Sequence, residues 1–275
     1  MISRFPRFFV CLLAASATAV AAEDAPRQPN VIVILSDTVR ADHCSAYGYA
    51  RDTTPTMERL AREGALYKNH FVSSGWTFPS IFSLFTGLSP VRHSMYDDKC
   101  VLPKGTPTIA SHLAARGYST IGVTCNIYSS GKFGFAEGFG TYDDFTVWLD
   151  FEMNLFAEDR PMKPVFQSVT SQDLVKIALR YVDQTPKDKP YFLFLLLFDP
   201  HTDYTPPPEY AERYWPDDLD FDPRAGYINH HPEKYVFTNP RDLEQIIALY
   251  DGEIRYTDAS STPCGSGVAC RTTTS

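Results

Sequence analysis

Tyr191–Phe198 reads YFLFLLLF, eight consecutive apolar residues without a polar break. A strand with one face in water alternates polar and apolar side chains, so an unbroken run indicates a strand buried on both faces, as in the middle of a parallel sheet. Asn30–Ser36 (NVIVILS) has the same character, rich in β-branched residues and without alternation, and Ser119–Thr124 (STIGVT) supplies a third strand. Between them lie helix signals. Thr54-Pro55 opens a helix through Glu63 with Gly64 as its stop, and Thr106-Pro107 opens another that ends at Gly117. Thr170 with Asp173 forms a capping-box pattern ahead of Leu174, Val175, Ala178, Leu179 and Val182. Asn239-Pro240 caps a last helix with Leu243, Ile246, Ile247, Tyr250 and Ile254 inward. Leu66, Lys68 and His70 alternate with Tyr67, Asn69 and Phe71, which predicts one further strand. Strands and helices in alternation predict an α/β fold, a mostly parallel central sheet flanked by helices on both faces, with the three apolar strands lying centrally.

In open α/β sheets ligands gather at the carboxyl ends of the strands. Each central strand runs into a polar residue there: Asp37 after the first, Asn126 after the second, and Asp199-Pro200-His201 after the third. Asp37 is a metal or substrate candidate, or else a carboxylate that braces its loop. A histidine at His201 can grip an anion or protonate a leaving oxygen. Gly75–Gly87 (GWTFPSIFSLFTG) adds a hydroxyl. Pro79 is tolerated only in a helix's first turn, so Thr77 is expected as the capping residue and Phe78–Phe85 as the helix. A hydroxyl there faces free N–H groups and the positive end of the helix dipole, which suits an oxyanion nucleophile, although an ordinary threonine cap is the plain alternative. Lys132, in a Gly- and aromatic-rich ordered loop, is a candidate anion contact, or a solvated lysine. His70 reads as a structural strand residue, and His93 is open to either role.

Arg4 and Arg7, the apolar run Phe8–Val20 and the small residues Ala19, Ala21 and Ala22 form the pattern of a secretory signal over residues 1–22. The chain is therefore expected to be exported, periplasmic or secreted. That run is too short for a membrane span, and no later segment approaches the length needed. About 250 residues remain, enough for one large domain. The net charge is −8 and becomes more negative without the leader's arginines, which argues against sequence-independent nucleic-acid binding. Of six cysteines five remain after the leader, without a C-x-x-C pair, and the odd number leaves at least one thiol unpaired. After Asp258 the composition changes. Ala259–Ser275 has no periodicity and an excess of Ser, Thr and Gly, which predicts a disordered tail outside a domain of residues 23–258.

Five stretches then stand in order: NVIVILSDTVRADHCSAYGY, TTPTMERLAREGALYKNHFVSSGWTFPSIFSLFTGLSP, FGFAEGF, LFDPHTDYTPP and YDGEIRYTD. Together they resemble the sulfatase family of the alkaline-phosphatase-like superfamily, and the resemblance implies the amino-terminal part of that family's catalytic domain. It makes Asp37 a metal ligand, Thr77 the occupant of the nucleophile position and a second ligand, and His201 a substrate-side histidine. Asn126 and Lys132 join His201 as substrate-binding candidates. The chain departs from the family pattern in four places. Thr38 stands where many members have a second acidic ligand, Ile81 where sulfatases have the arginine of C/S-x-P-S-R, and Thr77 is neither Cys nor Ser, so no formylglycine is expected. No S-D-H-G-like motif follows. A divalent ion, calcium, zinc or manganese, is therefore expected to be weakly held. The resemblance implies a metal-dependent hydrolase or transferase of sulfate or phosphate esters, acting on a small-molecule, glycan or lipid ester. A threonine nucleophile favours phosphodiester or phosphonate chemistry, because a formylglycine hydrate can shed sulfate by elimination and a sulfated threonine cannot. The alternatives are an inactive product of a truncated or frameshifted gene, incomplete at its carboxyl end, and a non-catalytic anion-binding module.

Overall fold

The structure is a computed structural model and describes residues 28–144, 169–220, 223–226 and 240–263. The expected leader at 1–22 and residues 264–275 lie outside the described residues.

One sheet holds four parallel strands in the order β1-β4-β2-β3, with β1 at Val31–Ser36, β2 at Ser119–Thr124, β3 at Thr141–Asp143 and β4 at Tyr191–Leu197. Val31 stands opposite Phe192 and Ser36 opposite Leu197, while Ser119 stands opposite Tyr191 and Thr124 opposite Leu196. The three long strands therefore end in step. The polar residues that follow them leave the sheet along one edge, which is how the chain brings Asp37, Asn126 and the Asp199–His201 turn together. Every residue of β4 is buried, as its unbroken apolar run requires. β1 is only half-buried and lies at the edge of the sheet rather than centrally, since its outer side has no strand partner among the described residues. β3, three residues long, is too short to show a period in the sequence.

The helices are α1 at Pro55–Glu63, α2 at Thr77–Thr86, α3 at Pro90–His93, α4 at Ile109–Ala114, α5 at Ser171–Gln184, α6 at Pro208–Ala211 and α7 at Pro240–Pro263. α5 starts with the expected reciprocal cap between Thr170 and Asp173 and packs on β2 and β4. α4 starts later than its Thr-Pro signal, because Thr108 rather than Thr106 accepts the Ser111 N–H while the Ser111 hydroxyl accepts that of Thr108. The Leu66–Phe71 alternation forms no strand. Its residues are mostly exposed, Phe71 at 87 %, and the alternating pattern meets no neighbouring strand among the described residues.

α2 is anchored by aromatic rings. Phe82 stacks on Phe135 at 4.1 Å, Phe78 meets Phe82 at 4.9 Å and Phe133 at 5.1 Å, and Phe85 meets Phe194 of β4 at 4.8 Å. The FGFAEGF loop is thus the floor on which α2 rests. Gly87 ends the helix in the left-handed region, φ 70°, and donates its N–H to the Ser83 carbonyl. His93 proves structural. Its Nδ1 accepts the Met95 N–H, so Nε2 holds the proton and donates to Ser83 Oγ at 3.0 Å, whose own hydroxyl donates to Pro79.

α7 departs from its sequence reading at both ends. Leu243 is half exposed, whereas Ile246, Tyr250 and Ile254 are buried. The helix does not stop at Asp258 but runs on through Pro263, so the first five residues of the expected tail are helical. Tertiary contacts override weak local propensity there: Asp258 accepts the Thr56 and Met57 N–H groups at the start of α1 (2.8 and 3.0 Å), and Thr56 Oγ1 lies 2.8 Å from Thr262 Oγ1. No helix of the described residues is long and apolar enough to cross a membrane.

Candidate active site

Asp37 extends the β1 ladder by donating its N–H to the Leu197 carbonyl, so its side chain leaves at the sheet edge in a position fixed by the two strands. The Thr77 hydroxyl donates to both carboxylate oxygens, 3.2 Å from each. Asn126 Nδ2 donates to Oδ2 at 2.9 Å, and the Thr38 N–H donates to Oδ1 at 3.0 Å. Asp37 is buried. Burial raises its carboxyl above the ordinary value near 3.8, opposed by the nearby His201 and by the bonds from Thr77, Thr38 and Asn126.

Thr77 is not the cap of α2. Trp76 holds that position with no side-chain bond, and Thr77 is the first helical residue. Its hydroxyl is turned from the helix's own N–H groups to a carboxylate forty residues earlier in the chain. Trp76 stacks on Phe78 at 5.6 Å and meets Tyr128 edge-on at 5.7 Å, which fixes the approach to the helix start. Asn126 is fully engaged, because its Oδ1 accepts the Tyr128 N–H at 2.8 Å while its amide holds Asp37. His201 stacks on Phe198 at 4.5 Å. Its Nδ1 donates to the Thr202 carbonyl at 3.0 Å, which leaves Nε2 as the free nitrogen. The ring lines a cavity of about 260 Å³ with Asp199, Asp203, Glu253 and Tyr256. Lys132 is not drawn in. It is exposed, its ammonium lies 5.3 Å from the Phe133 ring, and it makes no hydrogen bond or ion pair with Asp37, Thr77 or Asn126.

Two residues of α7, Tyr250 and Asp251, make polar contacts that the sequence reading missed. Thr38 adopts a left-handed conformation, φ 57°, rare for a β-branched residue. Tyr250 of α7 bonds both sides of that turn, accepting the Arg40 N–H at 2.9 Å and donating to the Thr38 carbonyl at 2.7 Å. Beside it Asp251 has no exposed side-chain surface and gathers His43 Nδ1, the Tyr49 hydroxyl and Arg51, each at 2.7 Å. The available signal was the spacing of acids along YDGEIRYTD, on a helix otherwise read by its apolar positions.

A hard divalent cation takes about six oxygen ligands. Asp37 and Thr77 offer a carboxylate and a hydroxyl, and no three His, Cys, Asp or Glu side chains gather to hold a metal among the described residues. The donors present do not fit a complete metal centre.

Arylsulfatase A of Homo sapiens is 36 % identical over 100 residues, 34 % of this chain and 20 % of that protein. The ulvan-active sulfatase of Formosa agariphila is 26 % identical over 218 residues, 74 % of this chain and 42 % of that protein. The chain spans less than half the length of these curated relatives. Among solved structures, the phosphonate monoester hydrolase of Agrobacterium radiobacter superposes with a TM-score of 0.60 at 20 % identity, over 86 % of this chain and 58 % of that one. With the sulfatase family model matching residues 29–260, this chain belongs to the sulfatase family.

Proposed function

We propose that this chain carries the nucleophile side of an exported ester hydrolase or transferase, that Thr77 is the attacking group, and that phosphodiesters or phosphonate esters are favoured over aryl sulfates. The observation that supports this reading is the Thr77 hydroxyl, directed at a buried carboxylate instead of capping its own helix. A desolvated carboxylate is a stronger proton acceptor than one in water, so Asp37 takes the Thr77 proton as Oγ1 bonds to phosphorus. The start of α2 favours the negative charge passing through that point. His201 Nε2, when protonated, gives its proton to the departing ester oxygen, and water then releases the phosphoryl group from Thr77. Asn126 acts by orienting Asp37. The family fold also serves a phosphonate hydrolase, so the fold leaves sulfur or phosphorus open and the nucleophile's chemistry tips it toward phosphorus. The family's divalent ion, calcium, zinc or manganese, would find only Asp37 and Thr77 among the described residues and would be held weakly.

The incomplete donor set favours a second reading, a chain that binds anionic esters without turning them over. Both are tested by steady-state assays on bis-nitrophenyl phosphate, a phenylphosphonate ester and nitrophenyl sulfate, beside the Thr77→Ala variant. The first reading expects the phosphorus esters to react faster and Thr77→Ala to lose at least about a thousandfold in kcat. Loss of one hydroxyl bond should cost only about 1 kcal/mol of stability. Fastest turnover of the sulfate, or full rate in the variant, overturns the threonine assignment. Ester binding without turnover selects the second reading.

A further inference from the structure

The stretch Tyr250–Asp258 has no part in the reaction above, yet it grips the segment that follows Asp37. Asp37 is placed by the sheet up to its backbone N–H, which bonds Leu197. The chain then turns at Thr38, whose N–H and hydroxyl bond back to Asp37 at 3.0 and 2.8 Å. Thr38 is exposed, so no packing against its side chain enforces the left-handed φ of 57°. That conformation is disfavoured for a β-branched residue and persists only when its surroundings impose it. From outside the turn the Tyr250 hydroxyl bridges the Thr38 carbonyl and the Arg40 N–H, reaching them from more than 200 residues away. Burial pushes the Tyr250 phenol up to about 12, so it keeps the proton it donates. Tyr250 is itself held, by its ring contacts with His43 and Tyr204, both at 5.2 Å, and by the Asp251 bonds beside it.

We propose that Tyr250 is a positioning residue for Asp37: by closing the Thr38–Arg40 turn it holds Thr38 in its left-handed conformation and so keeps the Asp37 carboxylate aimed at Thr77. The consequence for catalysis rests on reading Asp37 and Thr77 as the reactive pair, whereas the effect on the turn does not. Tyr250→Phe removes the hydroxyl and keeps the ring. Glycine at 38 would hold a positive φ without steric cost, so Thr38→Gly should make the turn independent of Tyr250.

The test is amide hydrogen exchange on the full chain, comparing Tyr250→Phe, Thr38→Gly and the double variant. Thr38→Gly alone serves as the reference for loss of the threonine hydroxyl. In Tyr250→Phe the amide at position 38 should exchange at least tenfold faster, with β4 amides unchanged. In the double variant that acceleration should disappear relative to Thr38→Gly alone. Where the chain turns over a phosphodiester, kcat should fall in Tyr250→Phe at nearly constant KM and recover in the double variant. Unchanged exchange at position 38, or acceleration that persists on glycine, overturns the proposal, as does an accelerated turn with kcat intact. If the exchange pattern appears while the parent chain hydrolyses none of the esters, the control of the turn by Tyr250 stands and the catalytic reading of Asp37 and Thr77 falls.

Discussion

Helices α2 and α7 both reach the Asp37 corner, and they are held there by different physics. α2 delivers Thr77 and is fixed by carbon: Phe78, Phe82 and Phe85 interlock with Phe133, Phe135 and Phe194. α7 delivers Tyr250 and, beside its buried Ile246, Leu249 and Ile254, is fixed by buried polar groups. Asp251 ties it to His43, Tyr49 and Arg51, Glu253 accepts the Thr205 N–H at 2.6 Å, and Asp258 caps α1. Gly252 permits this crowding, because a Cβ there would lie 2.8 Å from the Tyr210 carbonyl oxygen. An apolar anchor tolerates small shifts and averages over many weak contacts, whereas a polar one depends on a few bonds whose loss strands a buried charge.

The contrast is sharpest where one residue of each anchor is removed. Phe82 is fully buried between two rings, and Phe82→Ala should lower stability by about 3–5 kcal/mol in urea unfolding. A loss below about 1 kcal/mol would mean that the aromatic floor does not hold α2. Asp251→Ala should cost about 3 kcal/mol, because it leaves Arg51 and His43 facing a space without their carboxylate. Both side chains keep some contact with water, which places this loss at or below the Phe82 effect. If Asp251→Ala proves the costlier change, the polar anchor is the stronger of the two.

The smallest effect separates the anchors by pH. Burial raises the Asp258 carboxyl above 3.8, so the folded state binds its proton more tightly than the unfolded chain does. In the window between 3.8 and the raised folded value, the Asp258 contribution to stability therefore grows as pH falls and is lost as pH rises. Unfolding measured across that window should show this slope in the parent chain and a flatter one in Asp258→Asn. Phe82→Ala should leave the slope unchanged, since no titrating group is altered. A slope in Asp258→Asn no flatter than the parent's would show that the bonds from Thr56 and Met57 offset desolvation at Asp258.

The amino-acid sequence by itself determined the three long strands and the edge at which chemistry gathers. Two-sided burial leaves unbroken apolar runs in Asn30–Ser36 and Tyr191–Phe198, and the residues that end such runs must lie at the carboxyl edge of a parallel sheet. Asp37, Asn126 and His201 were legible for that reason. Only the tertiary structure decided where the Thr77 hydroxyl points, since helix start and carboxylate bond are equally available to a threonine until Asp37 is brought to it. It also decided that β1 lies at an edge among the described strands, that Leu66–Phe71 forms no strand, and that α7 continues past Asp258. Each of these depends on partners far along the chain. Periodicity records which side of an element is apolar, but carries no record of which distant carbonyl, amide or carboxylate will meet it, and the Tyr250 bridge across 210 residues is the extreme case.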